Sequence, residues 1–286
     1  MAGNLDIATI IRLHKIFSNN DWMSKDGQEV VHGNLCKLLA VLNQQEKELI
    51  LELCERYQWI SFADYGKLVI KLFSNLAQRE PQAPSVVYLA PVKKLSDESK
   101  TKSGDSLLYL LSGFMNFVPA PYNKVKYTWV KLIDIHSKKI ALQENDKIFF
   151  VDDFLGSGNT FKEMLDDLSQ NETLKTEKIE VLSLVAHQDG IDLLNKMGIS
   201  SSVGIVHPRG ISDHYEEPTK SEKISIMEGI ERNITTNKKY KFGYNQSEGL
   251  VTLIKTPNNT FPFFWMTYKS QEALEPPFPR FQIEQQ

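Results

Sequence analysis

Segments typical of buried strands alternate with segments typical of helices over residues 85–208, and this alternation restricts the possible folds of the 286-residue chain most strongly. Five runs rich in β-branched and aromatic residues predict the strands: SVVYLA, YTWVKLIDI, DKIFFVDD, KIEVLSLVAH and SSVGIVHP. The helices predicted between them are SLLYLLSGFMNF, NTFKEMLDDLSQ and QDGIDLLNKMG. Continuous apolar strands that alternate with helices are typical of a parallel sheet covered on both faces. We therefore predict an α/β fold with a doubly wound parallel sheet flanked by helices.

The regions on either side of this core have different patterns. Residues 1–80 are predicted to be helical, and Asn43 with Glu46 three residues later is close to a capping box. The tail, residues 209–286, predicts a helix from about Ser221 to Arg232, a strand LVTLIKT and an aromatic cluster in TPNNTFPFFW. The predicted division is a helical N-terminal region, 1–80, and a domain over 81–286 with its core at 85–208 and its tail at 209–286.

Composition excludes several classes of protein. The formal net charge of −3 gives no general attraction to nucleic acid, and the N-terminal helices have no basic stripe interleaved with aromatic residues. Direct nucleic-acid binding is therefore not expected. The longest apolar stretch, residues 107–118, is too short to span a bilayer, and the first residues do not have the pattern of a signal peptide. We expect a cytoplasmic protein without a membrane segment.

The stretch IFFVDDFLGSGNT contains the strongest functional signal. Asp152 and Asp153 end a predicted strand, and in an open α/β sheet ligands bind beyond the carboxyl ends of the strands. The glycines at 156 and 158 and the helix start near Asn159 or Thr160 favour an anion, because the first amides of a helix are free to bind it. Two carboxylates would repel that anion, whereas they suit the hydroxyl groups of a sugar. A phosphate beside a diol describes a ribose 5-phosphate.

Other nucleotide sites fit this stretch less well. A P-loop requires a lysine that the loop lacks, and a dinucleotide-binding loop requires a third glycine where the chain has Phe161. Response-regulator receivers also have paired acids, but on the first strand and without a glycine-rich phosphate loop. The remaining alternative is a strand–turn–helix connection whose glycines serve only its geometry.

FFVDDFLGSGNT resembles the PRPP-binding motif of the type I phosphoribosyltransferases, with Gly156 where serine, threonine or alanine is usual. Together, VVYLAP, VDDFLGSGNTF, GLVTLIKTPNNTFPFFW and the helical N-terminus are similar to the phosphoribosyltransferase-like proteins of bacterial conflict systems. Members of that family are found next to retron reverse transcriptases and other anti-phage genes, and they are proposed to be effectors. The resemblance implies a type I phosphoribosyltransferase-like sheet with a hood-like C-terminal segment.

The resemblance also implies a role for each residue of the motif. Asp152 and Asp153, the catalytic candidates, would bind the ribose hydroxyls of PRPP. The 5-phosphate would be bound by residues of the loop: Gly156, Ser157, Gly158, Asn159 and Thr160. A Mg²⁺ cofactor would be held mainly by oxygens of the substrate, with the two aspartates contributing indirectly.

Candidates for the rest of such a ligand lie outside the motif. The family needs a diphosphate-binding loop after the first strand of the sheet, and here APVKKLSDESKTKSGDS occupies that position. Its candidates are Lys100, Lys102, Ser103 and Gly104, and the alternative is a solvated flexible loop. On the acceptor side the candidates are Arg209, Asn258 and Asn259, while the alternative for the two asparagines is a structural turn.

Two hypotheses about function follow. In the first, the protein binds PRPP or a related ribose 5-phosphate, transfers or cleaves the ribosyl group, and acts as an anti-phage effector. The resemblance implies that a partner ribonucleoprotein, a retron reverse transcriptase with its msDNA, holds it inactive. In the second, it is a non-catalytic PRPP or nucleotide sensor. A nucleobase salvage enzyme is a third and weaker option, because such enzymes rarely need 80 extra helical residues.

Overall fold

The computed structural model of the protein describes residues 5–235, 237–269 and 274–280. Its α-helices are α1 Ile7–Asn19, α2 Gln28–Val41, α3 Gln44–Arg56, α4 Tyr65–Arg79, α5 Ser103–Phe114, α6 Leu132–His136, α7 Asn159–Leu168, α8 Gln188–Lys196 and α9 Thr219–Glu231. The strands are β1 Gln58–Trp59, β2 Val86–Pro91, β3 Lys126–Trp129, β4 Asp146–Leu155, β5 Ile179–His187, β6 Ser200–His207 and β7 Val251–Thr252. Within the described ranges, no helix is long and apolar enough to cross a membrane.

The described residues form two compact units, and the larger sheet lies in the unit of residues 63–207. Its five strands are all parallel, in the order β3–β2–β4–β5–β6, which confirms the predicted parallel sheet. The central strand β4 is buried along most of its length, as a strand covered on both faces must be.

Helices cover both faces of this sheet. α5 packs on β2 and β4, and α4 packs on β5 and β6. Buried side chains of α6, α7 and α8 form a core cluster with strand residues that include Phe150. Because neighbouring strand residues point to opposite faces, Phe149 is buried on the other face.

One predicted strand is wrong in its second half. YTWVKLIDI was predicted to be a single strand, but β3 ends at Trp129 and the chain turns into the short helix α6. Leu132 and Ile135 are both buried and lie three residues apart, which is the spacing of one helical face. A short apolar run fits a strand and a buried helix equally well, so its sequence pattern alone could not distinguish the two.

The other compact unit combines residues 5–62 with the described residues of 208–280. Its first half is helical, as predicted, and α3 begins with the expected capping box. The Glu46 amide donates to Asn43 Oδ1 at 3.0 Å, and the Asn43 amide donates to Glu46 Oε2 at 2.9 Å. α9 matches the predicted helix within two residues. The predicted strand LVTLIKT is shorter than expected, since only β7 is extended, where it pairs with β1.

These units divide the chain at different places from the predicted boundaries. α4, predicted to belong to the N-terminal region, lies in the sheet unit because its apolar face packs on β5 and β6. The tail contributes Phe261, Phe263 and Phe264 to the core cluster of the N-terminal helices. Burial of large apolar side chains therefore joins segments that lie far apart in the sequence.

A buried acid in the second unit predicts a pH dependence of stability. Glu231 is fully buried at the end of α9, and burial raises its pKa from 4.5 to about 8. The Phe242 amide donates to this carboxyl group, Lys241 lowers its pKa, and Glu228 and Glu248 raise it. Between pH 4.5 and about 8 the folded protein keeps a proton that the unfolded chain has lost, so the free energy of unfolding falls as pH rises.

Glu231→Gln is expected to remove this dependence, because the amide cannot ionise and its oxygen can still accept from Phe242. The variant should be more stable than the wild type by about 1–3 kcal/mol above pH 8 and similar to it near pH 5. Urea denaturation across this pH range tests the expectation, with Glu222→Gln on the exposed side of α9 as the control. An unchanged slope in Glu231→Gln would contradict it.

Candidate functional site

The two acids lie near the carboxyl end of the central strand. β4 continues through Asp152 and Asp153 to Leu155, so it is longer than the predicted strand, and the connection that follows is only residues 156–158. Ser103 Oγ donates to Asp152 Oδ1 at 2.8 Å, and the Tyr65 hydroxyl donates to Asp153 Oδ2 at 3.3 Å. Neutral donors from α5 and α4 therefore hold the two carboxyl groups at the carboxyl end of the sheet.

In the part of the chain that the structure describes, no basic side chain compensates the charge of this pair. Among the ion pairs of the described residues, none includes Asp152 or Asp153. Asp153 is only 9% exposed, and burial raises the pKa of both carboxyl groups. The proximity of Asp153 raises the pKa of Asp152 further. Such a pair favours ligands that bring hydrogen-bond donors or positive charge to it.

The loop after the acids presents unused donors. α7 begins at Asn159, as predicted, and Gly158 precedes it in the left-handed conformation with φ of 77°. No side chain caps this helix, so its first amides are not occupied by a cap. Ser157 and Thr160 are at least partly exposed, and their hydroxyl groups make no hydrogen bond with the described part of the chain. Amides, hydroxyls and the helix dipole together form a site for an anion such as phosphate.

A glycine of a neighbouring helix sets the position of this loop. A Cβ atom at Gly190, in the first turn of α8, would lie 2.3 Å from the Gly156 carbonyl oxygen and 2.9 Å from Leu155 Cγ. The loop therefore passes directly against α8, with no space for any side chain at residue 190. Gly190 was not among the residues predicted from the sequence, since a lone glycine in a helical pattern gives no sign of what it contacts.

The start of α5 reaches the acids by a similarly close approach. A Cβ atom at Gly104 would lie 2.6 Å from the Val151 carbonyl oxygen and 3.1 Å from Pro91 Cβ. The helix N-terminus therefore lies against the ends of β2 and β4, which brings Ser103 to Asp152. Of the predicted diphosphate candidates, the structure brings Ser103 into direct contact with the acid pair, and Gly104 makes that contact possible.

Lys93 is a residue of this region that the sequence analysis missed. It follows β2 and is only 5% exposed, and its ammonium group donates to the Glu98 carbonyl oxygen at 3.0 Å and to Asp105 Oδ1 at 3.1 Å. It also lies 3.4 Å from the Lys100 carbonyl oxygen. One buried cation thus fastens the backbone of the β2–α5 loop to the first turn of α5. Its position just after a strand end is the only signal of this role in the sequence.

Lys93→Met is expected to lower the free energy of unfolding by about 1–3 kcal/mol, because two carbonyl groups and a carboxylate lose their partner. Chemical denaturation measures this loss. Lys94→Met, at the exposed neighbouring lysine, should cost less than about 1 kcal/mol and is the control. Equal stability of the two variants would contradict the clamp that we assign to Lys93.

The two lysines predicted to bind diphosphate both contact one acid. Lys100 Nζ lies 2.7 Å from Asp97 Oδ1, and Lys102 Nζ lies 3.2 Å from Asp97 Oδ2. Because both lysines are exposed, diphosphate binding and the alternative of a solvated flexible loop both stay predictions. The structure brings the two ammonium groups together, but in contact with a carboxylate of the protein itself.

The acceptor-side candidates lie in the other compact unit. The Arg209 amide donates to Asp213 Oδ2 at 2.8 Å. Asn259 is 6% exposed, and its side chain donates to Ser247 Oγ at 3.2 Å. The carbonyl oxygen of Asn258 accepts from the Tyr244 amide at 2.8 Å. The buried side chain of Asn259 is compatible with a structural turn, and acceptor binding by Arg209, Asn258 and Asn259 stays a prediction.

The described residues contain no cluster of three or more histidine, cysteine or acidic side chains able to hold a metal ion by themselves. The acid pair nevertheless has hard oxygen donors and lacks a basic partner, which fits a magnesium ion that takes most of its ligands from a bound substrate. Asp152 and Asp153 are the residues that would face such an ion.

Comparison with solved structures finds phosphoribosyltransferases at low identity. The Helicobacter pylori xanthine-guanine-hypoxanthine phosphoribosyltransferase is 14% identical, with a TM-score of 0.30 over 53% of this chain and 84% of that chain. The orotate phosphoribosyltransferase of Mycobacterium tuberculosis H37Rv in complex with PRPP is 14% identical, with a TM-score of 0.30 over 49% and 72%. A hypothetical protein from Neisseria gonorrhoeae with bound ppGpp is 13% identical, with a TM-score of 0.35 over 60% and 97%.

Among curated protein sequences, none matches the chain. A family model does, however, and it covers more than half of the chain. The model is that of PRTase-CE, and it matches residues 41–280, which include the whole sheet, the acid pair and most of the tail. Together with the five parallel strands, this match confirms the predicted type I phosphoribosyltransferase-like fold. The chain belongs to the PRTase-CE family.

Proposed function

We propose that this protein binds PRPP or a related ribosyl 5-phosphate and transfers or cleaves the ribosyl group. The observation that carries the proposal is the uncompensated pair of Asp152 and Asp153 directly before a loop of unused anion-binding donors. Sugar hydroxyls can donate to the acids while a phosphate accepts from the loop. One ligand with both groups a few ångströms apart satisfies both halves of the site.

The residues of the site have distinct roles in this proposal. Asp152 and Asp153 accept hydrogen bonds from the ribose hydroxyls. The 5-phosphate is bound by the amides of residues 156–159 and by the hydroxyls of Ser157 and Thr160. The diphosphate lies towards Lys100, Lys102 and the N-terminus of α5, where Ser103 is tied to Asp152.

Ribosyl transfer requires little proton transfer from the protein, because positive charge develops on the sugar as the diphosphate leaves. Catalysis then consists mainly of positioning and electrostatic stabilisation. Carboxylates beside the ribose stabilise that charge, and donors to both phosphate groups hold the sugar between them. A bound magnesium ion would neutralise charge on the leaving diphosphate.

We further propose that the protein is a cytoplasmic effector of a bacterial anti-phage system of the retron type. A reverse transcriptase–msDNA ribonucleoprotein is the proposed partner that holds it inactive. Membership of the PRTase-CE family supports this role through the resemblance in sequence motifs described above. Expression with and without the neighbouring genes during phage infection tests it, and protection that does not depend on this chain would contradict it.

The biochemical proposal is tested with PRPP that carries one label in the ribose and another in the β-phosphate. The protein is incubated with it, Mg²⁺ and pools of nucleobases, nucleotides and RNA, with and without the proposed partner. Release of labelled pyrophosphate, with ribose on an acceptor or on water, supports transfer or cleavage. Binding of PRPP without any release of pyrophosphate would contradict the enzyme and favour the alternative of a non-catalytic sensor. Failure to bind PRPP and ribose 5-phosphate would overturn the proposal.

A further inference from the structure

Asp97 forms ion pairs with both lysines of the proposed diphosphate region. Each of its carboxylate oxygens contacts a different ammonium group, Oδ1 that of Lys100 at 2.7 Å and Oδ2 that of Lys102 at 3.2 Å. Each carboxylate oxygen accepts from one ammonium group, as two oxygens of a phosphate group could. Asp97 thus contacts the same two ammonium groups that a diphosphate would need.

These contacts are easily exchanged. The side chains of Lys100 and Lys102 are 50% and 42% exposed, and ion pairs between exposed side chains contribute only about 0–1 kcal/mol each. An incoming diphosphate carries more negative charge than one carboxylate and also reaches the first amides of α5, so it can take the two lysines from Asp97.

The backbone around these lysines, in contrast, is firmly held. Lys93 fastens the carbonyl groups of Glu98 and Lys100, and Glu98 Oε1 accepts from the Leu132 amide at 3.1 Å. The Lys102 amide donates to Asp105 Oδ2 at 2.8 Å. The long lysine side chains can therefore change partner while their backbone positions stay fixed next to Ser103.

We propose that Asp97 is an internal counter-ion of the diphosphate-binding lysines: it holds Lys100 and Lys102 in the unliganded protein and yields them to the diphosphate of the ligand. This inference rests on the proposed function, since it assigns regulation of the same site. Once displaced, Asp97 remains a few ångströms from the diphosphate and repels it. The residue therefore weakens the hold on free pyrophosphate and on other small anions.

Binding of two separate probes tests the role of Asp97. Inorganic pyrophosphate with Mg²⁺ reports on the lysines, and ribose 5-phosphate reports on the acid pair and its loop. Asp97→Asn should bind pyrophosphate about 3- to 10-fold more tightly than the wild type, and ribose 5-phosphate within about twofold. Asp166→Asn removes an equal charge from the exposed ion pair of Asp166 with Lys162. It should change neither affinity by more than about twofold.

Lys100→Gln/Lys102→Gln shows whether the lysines carry this effect. It should weaken pyrophosphate binding, and adding Asp97→Asn to it should give no further tightening. Unchanged or weaker binding of pyrophosphate by Asp97→Asn would overturn the counter-ion role, and so would tightening that persists without the lysines. Absence of pyrophosphate binding in both the wild type and Asp97→Asn would overturn it as well. Loss of ribose 5-phosphate binding alone would contradict the proposed function and leave the role of Asp97 standing.

Discussion

Replacing both Asp152 and Asp153 with asparagine is expected to weaken PRPP binding by about 100-fold or more. Hydrogen bonds from hydroxyls to a charged carboxylate contribute about 1.5–3 kcal/mol each, and the double variant removes both charged acceptors. The side-chain size is retained, so the loop at residues 156–158 keeps its surroundings. Isothermal titration with PRPP and with ribose 5-phosphate measures the loss.

The same variant should fold at least as well as the wild type. The two carboxyl groups are adjacent and form no ion pair within the described residues, and burial raises the pKa of both, so removing their charge relieves a cost of folding. Retained thermal stability together with lost binding therefore assigns the acids to the ligand rather than to the fold. A variant that binds PRPP normally would contradict the site.

A matched control exists on α7, where Asp166 and Asp167 form a second pair of adjacent acids, both exposed. Replacing them with asparagine changes the net charge by the same amount. PRPP binding should stay within about twofold of the wild type, since exposed charges are screened by solvent and salt. Equal losses in the two double variants would mean that the effect is one of overall charge.

Gly190→Ala is expected to lower the free energy of unfolding by about 2–4 kcal/mol and to abolish measurable binding of ribose 5-phosphate. The added methyl group would lie 2.3 Å from the Gly156 carbonyl oxygen, a distance at which the backbone of one segment must shift. Because the loop at 156–158 positions the donors of the phosphate site, its displacement removes the aligned amides. Denaturation and titration are measured on the same samples.

Gly113→Ala provides the control for this substitution. Gly113 lies in α5, and a Cβ atom there would meet no atom within 4 Å, so alanine should be neutral or stabilising by up to about 1 kcal/mol. A Gly190→Ala variant as stable as this control, with intact ribose 5-phosphate binding, would show that α8 does not constrain the loop.

The sequence predicted those parts of the fold whose signals are local. Short runs rich in apolar and β-branched residues predicted β2, β4, β5 and β6, and the capping residues of α3 were identified from their spacing alone. Where the local pattern was ambiguous, the prediction failed, as it did for α6 after the edge strand β3. The acid pair and the start of α7 were predicted because all their residues are adjacent in the chain.

Contacts between distant segments could not be predicted in this way. Ser103 and Asp152 are 49 residues apart, and Tyr65 and Asp153 are 88 residues apart. Lys93 appeared as one more charged residue of a polar loop, although it is buried and fastens that loop. The predicted acceptor residue Asn259 is buried against Ser247 because the turn that contains it packs on residues 243–249.

The sequence by itself therefore determined the parallel sheet, the acids at the end of its central strand and the loop with free helix amides, because each depends on local periodicity or on neighbouring residues. Only the tertiary structure decided which groups surround them. Gly104 and Gly190 allow helices to touch the sheet end and the loop without an intervening side chain. Such close approach is a property of two surfaces packed together, and neither segment encodes it alone.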